Sequence, residues 1–394
     1  MKILYLAHAD ISLPVAAAVH VGEMVNSLSQ QGHQIILNAG CSSLKKPPGF
    51  LSPGITFHNV GFPSSKNFFI QFFQFLMSRL LSLYWAVGER RNYDVIYIRG
   101  ALEIEALPLR FFLRKPLVAE VNGSGILEKP SLRDKLILCL LKGTSRLEAH
   151  YADRFITVTP ELKTHLVRTY HVPEARITIS SNGVNTKNFR PMDIAFARSK
   201  IGLNGSELLV GCVSVFDSVH DLRYLVGSAP LVLQQCPNTK FLLVGDGPLR
   251  PKVEQKVREM NLESAFLFTG MVPHSKVPLF INACDAMVAP LVGEDVKEQS
   301  TSALKIHEYM ACGKPVILPD CGSFSNTIVE SRAGIVANPQ NPPEMAEAIV
   351  KLLKDRHLRG AMGRSGRQIA EQKYSWEKVA QRLTEVCKEL LSDR

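Results

Sequence analysis

The chain has 394 residues, 46% hydrophobic and 21% charged, with 46 Lys and Arg against 36 Asp and Glu. This is ordinary globular composition, which excludes a largely disordered chain, and the length is sufficient for two domains with separate cores. The net charge of +10 suits three anionic partners: a nucleic acid, an anionic membrane surface or a phosphorylated substrate.

Several classes of protein are disfavoured by what the sequence lacks. It has no aromatic-basic recognition module, helix-turn-helix pattern or zinc finger, so we expect no nucleic-acid partner. Its eight cysteines are scattered without ligand spacing, which predicts small core residues in a reducing compartment and no structural metal. No apolar run reaches the ~18 residues that span a bilayer. A strand begins near Met1, which leaves no room for a signal peptide. We therefore expect a cytoplasmic protein, at most peripheral on the inner face of the cell membrane.

Strand-like and helix-like patterns alternate along the first half, which predicts a parallel sheet with helices on both faces. The predicted strands are 3–6, 35–37, 95–98, 117–121, 155–158 and 177–179. The predicted helices are 19–30, 68–89, 132–150 and 161–170. A change of composition over 182–192, with Gly183 and Pro191, predicts an interdomain linker.

The second half repeats the alternation, so the predicted fold class is α/β with two doubly wound domains, 1–187 and 188–374. Its strands are predicted at 208–215, 241–244, 266–268, 286–289, 316–318 and 335–337. Its helices are predicted at 222–235, 249–260, 277–283, 303–311, 343–353 and 358–373, with a last helix over 375–394. Two such domains facing each other form a cleft at the carboxyl ends of their strands, where ligands bind.

Residues 304–318 are the most informative stretch. The helix that opens here ends at Gly313, and a buried strand follows. The free N–H groups at the helix start suit a phosphate. Glu308, about two turns into the helix, could accept hydrogen bonds from the hydroxyls of a ribose. The alternative is a solvent-facing helix glutamate.

The motifs resemble those of family 4 of the nucleotide-sugar-dependent glycosyltransferases, which have the GT-B fold. They are Gly32-His33, Ser-Asn-Gly-Val-Asn at 181–185, Val-Gly-Asp-Gly-Pro-Leu at 244–249, Phe-Thr-Gly at 268–270 and the Glu308 helix. The resemblance implies two Rossmann-like domains facing a central cleft, with the last helix packed back onto the first domain. It also implies sugar transfer with retention of configuration, with the leaving diphosphate as base and without a metal or other cofactor.

On the donor side, the resemblance places Asp246 and Gly247 beside the nucleotide, although an ordinary strand-to-helix turn is the alternative. Met271 and Val272 lie where the family holds the nucleobase through its backbone. The basic pair that usually follows the first strand of this domain is absent, and His220 stands roughly at the lysine position. A diphosphate could draw its imidazole into the charged form; the alternative is a solvated loop histidine.

The second departure from the family is Ser300, which stands where a first glutamate commonly contacts the donor sugar. The sequence from Ser302 to Lys305 resembles a Ser-Pro-Leu-Lys subgroup. Ser302, Ala303 and Leu304 would then open the helix beside the donor phosphates, with Lys305 as their cationic partner. The alternative for Lys305 is a surface lysine.

On the acceptor side, Ala16 and Ala17 stand in the predicted loop 7–18, where the family often has two glycines. Asn122 replaces a histidine that many members carry near the donor sugar. It can donate and accept hydrogen bonds but cannot act as a base near neutral pH; a simple turn residue is the alternative. We predict Asn122 and Glu308 as the catalytic residues. Glu120 is either buried and paired or exposed at the cleft.

Residues 67–91 concentrate aromatic and basic side chains, among them Phe69, Phe73 and Arg79, on a helical face wider than one core-facing stripe requires. This pattern predicts either an interfacial helix on anionic lipid or a helix packed within the first domain.

The sequence as a whole predicts a hexosyl- or N-acetylhexosaminyltransferase that uses a nucleotide-sugar donor and a sugar or lipid-linked acceptor. Polysaccharide, glycolipid or O-antigen biosynthesis in the cell envelope would suit it. A non-hydrolysing nucleotide-sugar 2-epimerase on the same fold remains open, and Glu120 would be its obvious acid/base candidate in the first domain. A degenerate, non-catalytic scaffold is the second alternative, favoured by Ser300, the altered loop and the alanines at 16–18.

Overall fold

The computed structural model describes residues 1–13, 15–42, 49–63, 65, 67–100, 106–123, 149, 151–203, 205–292 and 304–392. The chain folds into two compact units. The first unit is Met1–Asn182 with Trp376–Arg394, and the second is Gly183–Ser375. The sequence interpretation had placed the boundary after residue 187 and the return at 375.

Parallel strands build the sheet of the first unit. Its elements are β1 Lys2–Asp10, α1 Ala16–Gln30, β2 Gln34–Gly40, β3 Thr56–Asn59, α2 Phe68–Gly88, β4 Val95–Arg99, α3 Ala106–Leu113, β5 Leu117–Val121, β6 Arg154–Thr157, α4 Pro160–Tyr170 and β7 Ile177–Ile179. Within the described residues the strand order is β3-β2-β1-β4-β5-β6-β7. The interior strand β1 is buried from Ile3 to Ala7, as expected for an apolar run covered on both faces of a parallel sheet.

The second unit has the same organisation. Its elements are α5 Ile194–Lys200, β8 Leu208–Val213, α6 Arg223–Gln235, β9 Thr239–Val244, α7 Arg250–Glu259, β10 Phe266–Gly270, α8 Val277–Ala283, β11 Ala286–Val288, α9 Leu304–Ala311, β12 Val316–Leu318, α10 Ser323–Glu330, β13 Gly334–Val336, α11 Pro342–Lys354 and α12 Arg356–Lys373. Its parallel strands are ordered β10-β9-β8-β11-β12-β13, counting only what the structure describes. The last helix, α13 Trp376–Ser392, belongs to the first unit, where Gln31 Nε2 donates to the carbonyl of Glu377 at 2.8 Å.

The predicted fold class, α/β with two parallel sheets, is confirmed. The predicted helix 132–150 lies outside the described residues, apart from Ala149. Four elements were not predicted, β3, α3, α5 and α10, of which β3 has 4 residues and α5 has 7. Short elements give too few residues for a periodic pattern. The predicted loop 7–18 was also wrong: β1 extends to Asp10 and α1 begins at Ala16, so Ala16 and Ala17 form its first turn.

In both sheets the strand order reverses beside the first strand, between β1 and β4 and between β8 and β11. Ligands of doubly wound sheets bind outside the carboxyl ends of the strands at such reversals. The strand ends beside these reversals are Asp10 and Arg99 in the first unit, and Val213 and Val288 in the second.

Candidate functional site

The turn after β9 packs closely against the loop after β8. Gly245 and Gly247 both have positive φ, +131° and +157°. A Cβ on Gly245 would lie 1.8 Å from the Ser214 carbonyl oxygen, and one on Gly247 would lie 2.5 Å from that of Phe216. Phe216 N donates to Asp246 O at 3.0 Å. At both glycines the neighbouring loop occupies the space that a side chain would need, so glycine allows the two loops to pack closely.

Asp246 is held by its own turn. Its Oδ1 accepts from Gly247 N at 2.8 Å, and its Oδ2 lies 3.0 Å from Arg250 Nη1. These contacts lower the pKa of Asp246, the backbone hydrogen bond most strongly. Arg250, which the sequence interpretation missed, also pairs with Glu254 at 2.8 Å. A carboxylate that already has two partners serves first to fix the turn.

Lys305, on α9, points its ammonium at the loop after β8. Its Nζ donates to Ser214 Oγ at 2.7 Å. Burial lowers the pKa of Lys305 to about 8, although Cys212, Asp217 and Glu308 oppose that shift. The alternative of an exposed surface lysine is therefore wrong. Among the described residues Ser214 accepts one of the three hydrogen bonds an ammonium can donate, which leaves capacity for an anion.

His220 lies in the same cluster. Its Nδ1 is 2.8 Å from Asp217 Oδ1, and most of its side chain is buried, so it is not a solvated loop histidine. Burial, with Lys305 next, lowers the pKa of His220. The imidazole is therefore neutral near pH 7, and an anionic ligand would have to supply the energy to charge it. Ser214, which the sequence interpretation missed, accepts the hydrogen bond of Lys305 beside it.

Glu308 is almost completely buried, so the interpretation as a solvent-facing helix glutamate is wrong. Its Oε1 lies 2.8 Å from His274 Nε2. His274 begins a short 3₁₀ turn that follows Met271 and Val272, the residues predicted to hold the nucleobase. Glu308, the predicted ribose carboxylate, therefore contacts the turn that directly follows the predicted base-binding residues. The contact is made by His274, which the sequence interpretation did not identify.

The start of α9 falls only partly within the described chain. Leu304 is its first described residue and is half-buried, whereas Ser302 and Ala303 lie outside the described residues. Met271 is exposed and Val272 is half-buried, directly after the end of β10 at Gly270.

In the first unit, Glu120 is buried at the carboxyl end of β5. Its Oε2 accepts from the Tyr97 hydroxyl, and its Oε1 is 3.1 Å from His20 Nε2, near enough for an ion pair although not aligned as a hydrogen bond. Arg99 Nε lies 3.9 Å from the same oxygen. Burial alone would raise the pKa of Glu120, but His20, Arg99 and Tyr97 hold it at about 2. Of the two predicted alternatives, buried and paired is confirmed.

His20 connects several parts of this unit. A hydrogen bond of 2.9 Å joins its Nδ1 to Asn182 Oδ1, and its ring lies edge-on to Trp376 at 4.9 Å. Its Nδ1 faces an amide oxygen and its Nε2 faces a carboxylate, so His20 connects Asn182 to Glu120. The cavity beside it is about 10 Å³, which has room for at most one water, so within the described residues the cluster packs the unit and leaves no space for a larger ligand.

Asn122 follows β5 immediately. Its side-chain Oδ1 and Nδ2 are both buried and have no hydrogen-bond partner among the described residues. Unpaired buried polar atoms are costly, which makes this amide a candidate to bind a hydroxyl group. Ala16 and Ala17, in the first turn of α1, follow the N-cap Val15, whose side chain makes no capping hydrogen bond.

Two absences concern only the part of the chain that the structure describes. There, no three or more His, Cys, Asp or Glu side chains are grouped so as to hold a metal ion. Across those same ranges, each helix is either too short or too polar to cross a bilayer.

The fold and these clusters define a two-domain α/β protein of the GT-B class, and comparison with known proteins gives the family. Residues 207–355 match the family described as glycosyl transferases group 1, and residues 17–188 match glycosyltransferase family 4. The chain belongs to this group 1/family 4 of GT-B glycosyltransferases and is a glycosyltransferase.

Relatives and solved structures cover nearly the whole chain. The N-acetyl-alpha-D-glucosaminyl L-malate synthase of Bacillus anthracis is 23% identical over 384 residues, 94% of this chain and 93% of the relative. The sucrose-phosphate synthase of Thermosynechococcus elongatus superposes with a TM-score of 0.82 at 21% identity, covering 100% of both chains. Anabaena Alr3699/HepE, solved in complex with UDP-glucose, gives 0.74 at 18% identity and covers 99% of this chain and 100% of its own.

Proposed function

We propose that this glycosyltransferase moves a hexosyl or N-acetylhexosaminyl group from a nucleotide-diphosphate sugar to an acceptor hydroxyl, with retention of configuration. The acceptor is a sugar or a lipid-linked sugar, and the products serve cell-envelope polysaccharide, glycolipid or O-antigen assembly on the cytoplasmic side. The observation that carries the proposal is the Lys305 cluster, where a largely buried ammonium has donors unused among the described residues and lies beside a neutral histidine.

Three groups of residues support a nucleotide-sugar donor. Lys305 supplies positive charge and N–H donors for the diphosphate, which gains negative charge as it leaves. His220 adds to both once the negative charge of the ligand has drawn a proton onto its imidazole. Glu308 accepts from the ribose hydroxyls, with His274 fixing one of its oxygens. Met271 and Val272 offer backbone groups to the base. That the structural neighbour Alr3699/HepE holds UDP-glucose favours a uridine nucleotide as the first one to test.

In the transfer, the bond between the anomeric carbon and the diphosphate oxygen breaks while the bond to the acceptor oxygen forms on the same face. The acceptor proton passes to the leaving diphosphate, so no protein base is needed. Asn122, whose side chain lacks a partner within the described residues, would orient a hydroxyl of the sugar or the acceptor. Glu120 does not act as acid or base here, because its pKa of about 2 keeps it ionised and a weak base.

The first experiment identifies the nucleotide. Melting temperatures are measured with UDP, GDP, ADP, dTDP and the parent nucleosides, since a ligand that binds only the native state raises stability by an amount set by its concentration and dissociation constant. Lys305→Ala should weaken the diphosphate far more than the nucleoside, and Lys351→Ala, an exposed lysine on α11, is the matched control. Equal losses for diphosphate and nucleoside would remove Lys305 from the phosphate site.

The second experiment tests the reaction. With the selected nucleotide sugar, the anomeric coupling constant of the product is read by NMR. Retention supports the proposal and inversion refutes its stereochemistry. Epimerised donor formed without acceptor would instead favour the 2-epimerase. A protein that binds none of the nucleotides would be the non-catalytic scaffold.

A further inference from the structure

Helix α2 is apolar over more of its circumference than a surface helix needs, since one apolar face is enough to pack it. Its inner side carries Ser82 and Ala86, both completely buried, and Leu83 beside them also packs against the core. Side chains advance by about 100° per residue around a helix, so Phe69, Phe73 and the residues in step with them form an outer face about 140° around the helix from Ser82 and Ala86.

The outer face is exposed along its whole length. Phe69 is 79% exposed and Phe73 is 60% exposed, and the row continues through Leu76, Leu80, Tyr84 and Val87. From the first to the last of these the helix rises about 27 Å. Their spacing of three or four residues keeps them on one stripe. A stripe of this size would be buried in an ordinary surface helix, and here it faces solvent.

Helix α3 packs beside α2 and also exposes large apolar side chains. Phe111 and Phe112 on it are both exposed, Phe112 by 78%. With the exposed phenylalanines of α2, including Phe72, they present on the order of 600 Å² of apolar surface. That is at the upper limit of what monomeric proteins expose, and patches of this size mark interaction sites.

Within the described residues, the two helices of this surface carry charges of one sign. Neither α2 nor α3 contains an Asp or Glu, and they contain Arg79 and Arg110. Arg90 and Arg91, just after α2, are exposed. Two described acidic side chains beside these helices are already engaged: Glu89 lies 3.5 Å from His58 Nε2, and Asp153 lies 2.9 Å from Arg110 Nη2 and pairs with it.

We infer that the outer face of α2 and α3 docks on an anionic lipid bilayer, with its aromatic side chains at the headgroup boundary and its arginines against the lipid charges. This goes beyond the proposed function, because it does not depend on the sugar or the acceptor. A second copy of the chain is the weaker occupant, since pairing this face with itself would bring like-charged arginines together. A bilayer accepts both the apolar area and the positive charge.

The helix lies on the surface and does not cross it, as no helix within the described ranges is long and apolar enough to span a bilayer. Binding to the bilayer should therefore have two independent contributions, one from the basic side chains and one from the aromatic side chains. The electrostatic part should weaken with salt, because the attraction of basic side chains decays over roughly 10 Å at 0.1 M ionic strength. The aromatic part should be insensitive to salt.

The test measures co-sedimentation of the full-length protein with phosphatidylcholine vesicles that contain 0, 15 or 30% phosphatidylglycerol, at low and high salt. The parent should bind more tightly as the anionic lipid increases and more weakly as salt increases. Phe69→Asp with Phe73→Asp should lower the partition coefficient at least about tenfold. Phe112→Asp, on the neighbouring helix, should also weaken binding. Phe196→Asp is the matched control, an exposed phenylalanine on α5 in the other unit.

Charge is tested separately with Arg90→Glu and Arg91→Glu, which should reduce both binding and its dependence on salt. Binding that is absent, or equal for neutral and anionic vesicles, overturns the inference. So does a parent dimer in sedimentation equilibrium that Phe69→Asp with Phe73→Asp dissociates, because the face would then be a self-interface. If the α2 double variant and Phe112→Asp both lower the melting temperature sharply, these side chains pack inside the protein and the inference also fails.

Discussion

Lys305 offers the sharpest prediction, because its charge changes inside an accessible pH range. A lysine ordinarily loses its proton near pH 10.5, but burial lowers the pKa of Lys305 to about 8. The ammonium that should hold the donor diphosphate is therefore present at pH 7 and largely lost at pH 9. Two substitutions separate charge from titration: Lys305→Met removes the charge, and Lys305→Arg makes it permanent.

The magnitude follows from that pKa. The side chain is charged in about 90% of molecules at pH 7 and about 10% at pH 9. If only the charged form binds well, the affinity for a nucleoside diphosphate should fall by up to about tenfold for each pH unit above 8. The neighbouring titratable groups, Cys212 and His220, should not produce the same loss of affinity. Burial raises the pKa of Cys212 to about 11, and burial and Lys305 lower the pKa of His220, so neither titrates between pH 7.5 and 9.5.

The assay is isothermal titration calorimetry with the best-binding nucleoside diphosphate at half-unit steps from pH 7.5 to 9.5. The parent should lose affinity along this series, and Lys351→Ala should reproduce the parent slope. Lys305→Met should bind weakly and Lys305→Arg should bind with little change across the series. The reasoning fails if the parent shows no slope, or if Lys305→Met keeps it.

The same pKa has a consequence for stability without ligand. Because the folded pKa lies below the unfolded value, the unfolded chain binds more protons between pH 8 and 10.5, so the parent should gain stability as pH rises through that window. Below pH 8 the buried ammonium destabilises the native state by up to about 3 kcal/mol. Lys305→Met should therefore resist urea better than the parent at pH 7, and the difference should shrink above pH 10.

Three further substitutions test other buried groups. Glu308→Gln should weaken nucleoside binding by about 1.5–3 kcal/mol in calorimetry, whereas unchanged binding would make Glu308 a packing residue. Glu120→Gln leaves His20 and Arg99 uncompensated and should lower the free energy of unfolding by about 3–5 kcal/mol. Since the pKa of Glu120 in the folded protein is about 2, this loss of stability should fade as the pH drops from about 4.5 towards 2. A loss of stability that acid leaves unchanged would count against the ion pair. His307→Leu removes two buried ring nitrogens without partners in the described structure and should raise stability by about 1–2 kcal/mol. Burial lowers the pKa of His307 to about 3, so that gain should grow as pH falls below 6.5, and a gain that is independent of pH would contradict it.

Sequence patterns predicted the sheets well because the strands are buried on both faces. The apolar runs at Ile3–Leu6 and Val316–Leu318 are completely buried, so each leaves an uninterrupted signal in the sequence. The elements that were missed are short or lie at an edge. β3 at Thr56–Asn59 is an edge strand with no fully buried residue, so its composition resembles that of a loop.

Partners across the fold could not be predicted, because they depend on which loops the topology brings together. Glu308 and His274 are 34 positions apart, and Lys305 and Ser214 are 91 positions apart. Neither His274 nor Ser214 has a local pattern that marks it as functional. His274 follows β10 and Ser214 follows β8, whereas the helix that carries both partners, α9, comes after β11. Only the parallel order β10-β9-β8-β11 places the loops after these strands at one edge.

The remaining hydrogen-bonding capacity ranks the predicted site residues better than the motifs do. Asp246 and Glu120 were both candidates, yet their oxygens already face an amide, a hydroxyl or cations, so a ligand would have to displace good partners. Lys305 and Asn122 have donors or acceptors unused in the described structure, and burial makes that unused capacity costly until a ligand arrives. A ligand-free protein that buries groups with unused hydrogen-bonding capacity has a lower free energy of unfolding, and the same groups give it affinity for a ligand. Substitutions at Lys305 and Asn122 should therefore weaken ligands more than they weaken the fold, and at Glu120 the order should reverse.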